Sequence, residues 1–403
     1  MNLLFVLATI ISARFSCIAL SNISIFRISF TFVYILVFCL LLFIQYRLKK
    51  NEFIGMLFLI SYVIEVMLIT VPISGLFNTQ AFNAYVIFAL YCLYLYQKRL
   101  PERKRRTLLR VNLLGCEFTY VYSIIMLMRD PFLSRRAAAG IVTENSPDTL
   151  QAIGGFDTVY GGLLIFAMFL FIVTYGRSRN KYLYTVMALS CGIFIVMATY
   201  ATAIVILVAI IALFLFQRNR MAAFVCLIAA VIIALCRESI GQSIIEFSHG
   251  ITYSSVMQEK VYQIGFMLRY GESVGTLAGD DGRFARMGWS IKAFIASPLF
   301  GSYANASLPI GCHSEVFDTL GRFGLWGFFS LVGFYVCCFK DIAASILYKE
   351  TRKCMAVVII TYLIVCVLDP GLYTQQVLPI FVLLPLMELG YSDENQMIRR
   401  YIS

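Results

Sequence analysis

Charge is scarce in this chain. Only 14% of its 403 residues are Asp, Glu, Lys or Arg, against roughly 25% in soluble domains, and that shortage excludes an ordinary soluble globule. There are only two histidines, His249 and His313. No CxxC motif or Cys/His cluster occurs, so the chain lacks a metal-site signature. Alternating polar and apolar segments of about ten residues are absent, which argues against a transmembrane β-barrel. No repeat relates the two halves, as many secondary transporters would show, and no low-complexity linker divides the chain. No basic segment precedes the first apolar run, so the N-terminus reads as a span rather than a cleavable signal.

What remains is apolar: 60% hydrophobic, with mean hydropathy +0.82. A helical span needs about 20 mostly apolar residues, and the sequence offers twelve such runs: 2–20, 28–46, 53–71, 80–97, 108–128, 156–175, 181–198, 199–216, 221–236, 316–338, 354–369 and 374–391. Residues 181–216 would make one helix of about 54 Å, nearly twice the bilayer core, so two short spans meeting at "ATYAT" fit better. The fold expected is an all-α polytopic membrane protein, a single membrane domain over 1–403. Most cysteines sit in or beside apolar runs, as small apolar side chains do. Cys236, the last residue of the run 221–236, and Cys312 are both placed to face outside, which leaves a disulfide between them open.

The net charge of +11 does not point to nucleic acid, because the cations form short clusters between apolar runs. The segments 47–50, 97–106, 176–181, 217–220, 339–353 and 399–400 all fall on one side of the count. Basic loops mark the cytoplasmic face, so both termini are expected inside. Two longer segments, 129–155 and 237–315, then lie outside. Connections of that length usually carry function, and both histidines lie in the larger one.

In that larger loop, Arg283 and Arg286 are three apart and share a helix face. Trp289 and the apolar residues after it suit a helix at the membrane interface. The pair reads either as solvated charge or as an anion site, since a guanidinium matches phosphate. Arg129, Arg135 and Arg136 form a basic patch in the smaller loop, read as pairing with lipid headgroups or nearby acids, or as holding an anionic ligand. His313 stands one turn before an apolar run, beside Glu315 and Asp318, and an imidazole there can take a proton. Gly321, Gly324 and Gly327, spaced by three, make a smooth helical strip open to close approach. Glu65 and Glu117 sit mid-span, and Asp369 and Glu388 nearer span ends. They read as helix–helix hydrogen bonds or interface groups, outside any site.

The spacing H-S-EVFDTLGRF-G-L-W-G over 313–327 resembles the His-[Asn/Ser/Gln]-x9-Gly-x-x-Gly pattern of the O-antigen polymerase and O-antigen ligase superfamily. The upstream "DGRFARMGW…PLFGSY" and the earlier "RRAAAGI…GGFDTVYGG" are similar to two further segments of that family, and Arg129 with Gly140 matches an R-x10-G pattern. The chain departs from the family at "TYATAIVIL" (199–207), which lacks the arginine many members carry there. The resemblance implies a metal-independent glycosyltransferase, without cofactor, in a bacterial inner membrane. Its donor would be an oligosaccharide on undecaprenyl pyrophosphate, its acceptor a glycan at the outer face, and a chain-length co-polymerase a candidate partner. It implies catalytic roles for His313 and Arg283. Arg286, Arg136, Arg135 and Arg129 would bind pyrophosphate, and Glu315 and Asp318 stand as secondary candidates for the base. Polymerase is the leading reading, favoured by the "RRAAAG…GGFDTVYGG" segment. A ligase moving glycan to lipid A-core breaks the same donor bond and remains the alternative. A transporter or flippase of lipid-linked sugars is the reading from another class.

Overall fold

The computed structural model describes residues 3–22, 28–74, 79–130, 153–175, 181–198, 200–218, 235–251, 283–304, 308–346 and 349–387, with a few isolated positions between them. No strand occurs among the described residues. The main helices are α1 (Leu3–Ser16), α2 (Ile28–Gln45), α3 (Lys50–Ser74), α4 (Thr79–Gln97), α5 (Glu102–Arg129), α6 (Phe156–Tyr175) and α7 (Lys181–Met197). They continue with α8 (Ala201–Arg218), α9 (Arg237–His249), α10 (Arg283–Ala296), α11 (Glu315–Ser345), α12 (Lys349–Leu368) and α13 (Thr374–Leu386).

Five of these, within α3, α5, α6, α11 and α12, are long and apolar enough to cross a membrane. Their outward faces carry large apolar side chains at helical spacing: Leu57, Ile60, Ile64 and Leu68 on α3, Leu114, Phe118, Val121 and Ile125 on α5, Ile360, Leu363, Ile364 and Val367 on α12. A soluble protein would not expose stripes of this extent, and a lipid-facing surface requires them. This is the arrangement of an all-α membrane protein. The expected break within 181–216 is present, since α7 ends at Met197 and α8 begins at Ala201. The expected span 221–236 lies outside the described residues except for its last two.

Helices α4, α6 and α13 form the interior. Residues 89–96 of α4 are at most 2% exposed. Its four tyrosines lower its average hydropathy without putting it in water: the hydroxyls of Tyr91 and Tyr94 find partners inside, and that of Tyr96 is buried without one among the described residues. Tyr91 Oη donates to the Glu52 carbonyl at 3.1 Å and Tyr94 Oη to Asp341 at 2.6 Å. Helix α13 contains a π-helical turn, Pro379–Leu383. Pro385 has no N–H to offer the Phe381 carbonyl four residues back, and the Gln97 side chain donates to that oxygen at 2.7 Å. An unmet carbonyl inside lipid would be unfavourable by several kcal/mol, so this contact stabilises the bent helix.

The bundle has a basic end. Lys98 and Arg99 reach Glu52 at 3.1 and 2.5 Å, and Lys98 also reaches Asp341 at 2.5 Å. Arg105 and Arg106 donate to the carbonyls of Pro385 and Leu389. Segments 97–106 and 339–353, assigned to one face on charge alone, therefore do meet at one end. Helix α5 starts at Glu102, six residues before the expected 108, because arginine and lysine are good helix formers. At 28 residues it is about 42 Å long, so its basic first turns project beyond a 30 Å core. The loops around His313 gather at the opposite end.

Candidate functional site

The site is built on the break in α11. Gly324 has φ +60°, a conformation open to glycine and strained for other residues. The break exposes backbone N–H groups, and the turn after α10 fills it: Leu325 N donates to the Pro298 carbonyl at 2.8 Å and Trp326 N to Leu299 at 3.3 Å. A Cβ on Gly324 would sit 2.5 Å from the Leu299 carbonyl carbon. Gly301, also at positive φ, lies equally close to the Arg322 backbone, and Gly321 to that of Ser290. The strip of glycines is thus a seat for the 290–301 backbone at Gly321 and Gly324. The close approach expected at this strip is made by protein backbone at both positions.

Helix α10 is amphipathic. It buries Met287, Ser290 and Ala293 against α11, while Ile291 and Ile295 face outward. Ser290 is the polar member of the buried stripe, and its hydroxyl ties three parts together. It donates to Asp318 Oδ1 at 2.6 Å and accepts from Gly311 N at 2.9 Å. Asp318 also accepts from Cys312 N (3.2 Å, Oδ1) and Ser314 N (3.1 Å, Oδ2). Ser314 caps α11, its Oγ accepting from Phe317 N at 3.4 Å. The loop 311–314 is therefore held from below by a buried carboxylate and from the side by α10.

On this loop, His313 Nε2 meets Arg286 Nη1 at 2.8 Å. A guanidinium has donors and no acceptor, so Nε2 accepts. The imidazole is then neutral, with its proton on Nδ1. Cys312, the preceding residue, has φ +57°, and its thiol accepts from Arg322 Nη2 at 2.8 Å. Two guanidinium groups thus bond the side chains of consecutive loop residues.

Beside them lies the loop after α12. Glu315 N donates to the Asp369 carbonyl. The Glu315 carboxylate accepts from Thr319 Oγ1 at 2.8 Å and from Gly371 N at 3.1 Å. Tyr373 packs edge-on against Phe156, and burial, with Glu315 and Asp157 nearby, raises its hydroxyl above the ordinary tyrosine value. Arg322 interacts electrostatically with Glu315 and Tyr373.

Immediately past the break, α11 borders an apolar groove of about 350 Å³, lined by Phe58, Leu299, Phe300, Leu325, Trp326 and Phe329. Trp326, Phe329 and Leu299 are at least half exposed there, so the groove is open on the bundle's outer surface. A short polar thread runs behind it: Trp326 Nε1 donates to Ser61 Oγ at 2.9 Å, and Ser61 meets Ser330 Oγ at 3.1 Å. One turn along α3, Glu65 faces Gly327, with both carboxyl oxygens buried and without a hydrogen-bond partner among the described residues.

Of the residues singled out from sequence, His313, Arg286, Glu315 and Asp318 converge. Both carboxylates expected as alternative bases also hold loops in place, Asp318 the 311–314 loop and Glu315 the segment at Gly371. Arg283 opens α10, and its side chain is outside the described residues, as are Arg135 and Arg136. Arg129 is exposed at the end of α5 and makes no hydrogen bond or ion pair among the described residues. Cys236 and Cys312 are free thiols, so the conceivable disulfide is not formed. Glu117 does make the expected helix–helix hydrogen bond, to Ser190 at 2.8 Å, whereas Glu65 makes none among the described residues. Glu388 is outside the described residues, and Asp369 lies against the site through its carbonyl.

Sequence reasoning missed Arg322, Ser290, Tyr373 and Trp326. Arg322 was hidden among the nine variable positions of the histidine pattern. Its charge immediately before an apolar run of glycines and aromatics was the available signal. No family model and no curated protein matches the chain.

Proposed function

We propose that this chain is a glycosyltransferase of the O-antigen polymerase and ligase type. On this reading it transfers oligosaccharide repeat units from undecaprenyl pyrophosphate to an acceptor glycan at the outer face of a bacterial inner membrane. The basic end then lies in the cytoplasm and the His313 end outside. The observation that carries the reading is the Arg286–His313 contact, on a loop clamped to the membrane helix that also borders the lipid-facing groove. A base, a phosphate-matching cation and a place for an apolar tail occur together, as a lipid diphosphate donor demands.

In the reaction, an acceptor hydroxyl attacks the anomeric carbon of the donor sugar. The bond from that carbon to the diphosphate oxygen breaks, and the electron pair leaves with the diphosphate. Fixed cations stabilise the charge that develops on the leaving group. The hydroxyl proton goes to His313 Nε2. That lone pair is held by Arg286 before donor binds, so the geometry supports an order. The diphosphate draws the guanidinium to itself, and Nε2 then becomes available to the acceptor. Asp318 and Ser290 hold the loop, and Glu315 holds the 369–373 segment against it. The groove at Trp326 and Phe329 receives the polyprenyl chain.

The test is genetic. In a strain lacking the gene, His313→Ala and Arg286→Ala are expected to insert normally and fail to restore long glycan chains on a lipopolysaccharide gel. Wild-type chain length in either would remove the assignment. The deletion strain also separates the activities. A single repeat unit on the core marks a lost polymerase, and a bare core with lipid-linked polymer marks a lost ligase. Lipid-linked units retained on the cytoplasmic face would mark a flippase.

A further inference from the structure

Arg322 has no role in the reading above, and its surroundings are unusual for an arginine at a membrane surface. It is half-buried on the last turn before the α11 break, and its backbone is pinned by Gly301. Among the described residues, no carboxylate lies within ion-pair distance of it. The acceptor it has is the Cys312 thiol at 2.8 Å, and sulfur accepts hydrogen bonds weakly. A guanidinium offers five donors arranged to match phosphate oxygens. Here one is given to sulfur, and the charge is balanced only from a distance by Glu315. The contrast with the basic end is clear, where Lys98 and Arg99 are both paired with Glu52.

Its position sets what it would hold. Arg286 bonds His313 and Arg322 bonds Cys312, so the two guanidinium groups flank one dipeptide. Leu325 and Trp326, three and four residues after Arg322, line the lipid-facing groove. A ligand whose apolar chain lay along Trp326 and Phe329, with its head toward the N-terminal end of α11, would bring that head to the turn that carries Arg322.

We propose that Arg322 is the groove-side half of a two-guanidinium diphosphate site, holding the phosphate that bears the prenyl chain, with Arg286 on the sugar-side phosphate. The Cys312 thiol is the resting partner that Arg322 gives up when a diphosphate binds. This rests on the glycosyltransferase reading for the donor's class and adds which arginine meets which end of it. Arg322 touches the leaving group, and Cys312 does not.

The chain supplies its own reporter. Its two tryptophans are Trp289 and Trp326, so Trp289→Phe leaves Trp326, in the groove, as the single emitter. The full chain in detergent micelles is titrated with geranylgeranyl diphosphate, with geranylgeraniol and with phosphatidylglycerol. With Arg322 intact, the diphosphate is expected to bind at least tenfold more tightly than the alcohol or the phospholipid. Arg322→Gln is expected to remove that tenfold preference while leaving geranylgeraniol binding unchanged, which a collapsed fold would not do. Arg322→Lys keeps the charge and is expected to recover part of the preference. Cys312→Ala is expected to stay within threefold of the parent.

An undiminished diphosphate preference in Arg322→Gln overturns this inference and leaves the glycosyltransferase reading standing. An equal loss in Cys312→Ala also overturns it, because the pair would then be structural. If Arg322-dependent binding is as strong for phosphatidylglycerol, the site is for a phospholipid headgroup and the inference fails. A parent chain that does not distinguish the diphosphate from the alcohol overturns both.

Discussion

Asp318→Asn tests whether the loop under His313 is held as described. The carboxylate receives three donors, Ser290 Oγ and the amides of Cys312 and Ser314. Asparagine preserves the size but has one acceptor oxygen instead of two. If that oxygen keeps Ser290 and Cys312, the NH2 group faces the Ser314 amide, and that amide loses its acceptor. A hydrogen bond to a charged group contributes about 1.5–3 kcal/mol, and the two that remain become neutral and weaker. The loop should therefore open more easily by about 3 kcal/mol. At 1.36 kcal/mol per tenfold, its amides should exchange with solvent about 150-fold faster. Hydrogen–deuterium exchange by mass spectrometry on a peptide covering 310–316 reads this directly. Peptides from α4 serve as the control, since they belong to the interior and are expected to be unchanged. A loop displaced by about 1 Å can lose on the order of 100-fold in rate, so long glycan chains should disappear from the complemented strain. Exchange within threefold of wild type, together with a normal glycan ladder, would refute the clamp.

Gly324→Ala places a Cβ against the Leu299 carbonyl and a non-glycine residue at positive φ, a strain of about 1–3 kcal/mol. It should lower thermal stability and abolish long chains, and a normal melting profile would contradict the seat proposed for the 298–301 turn. Glu52→Ala removes a carboxylate that is 1% exposed and paired with Lys98 and Arg99. Breaking a buried ion pair is unfavourable by about 3–5 kcal/mol, and the partially exposed cations put the expectation near the lower limit. The unfolding midpoint should fall while the prenyl-diphosphate preference of the protein that remains folded is unchanged. Glu65→Leu removes a buried carboxyl without a partner among the described residues, a group unfavourable by about 1–3 kcal/mol. The variant should be more thermostable than the parent, and a clear loss of stability would mean that Glu65 has a partner in the membrane.

Much of this architecture could be read from residues alone, because lipid imposes a simple rule on apolar length. The break near residues 198–200 followed from a stretch too long for one span. Two of the basic segments, 97–106 and 339–353, meet at one end through Glu52 and Asp341. His313 and Arg286, which the structure brings into contact, could be singled out because each stands out against an apolar chain. The interior position of α4 was not legible, since Tyr91 and Tyr94, which lower its hydropathy, bond their hydroxyls to α3 and α11, a matter of partners distant in sequence. Asp318 read as a candidate base. Its three donors come from α10 and from a loop that folds back on it, and spacing cannot reveal that. The glycines at 321 and 324 were recognised as permitting close approach, but their spacing could not say whether lipid or backbone would come. Arg322 escaped because its significance depends on the break at Gly324, which brings the turn after α10 beside it.

The account stands on His313 taking a proton once a diphosphate has drawn Arg286 away, and reconstitution tests that most directly. The purified full chain in liposomes is given a synthetic oligosaccharide on undecaprenyl pyrophosphate, and glycan products are followed by mass spectrometry. The account predicts glycosidic products with release of undecaprenyl pyrophosphate from wild type, and a loss of at least 100-fold in His313→Ala with donor binding retained. Equal product formation by His313→Ala would contradict it.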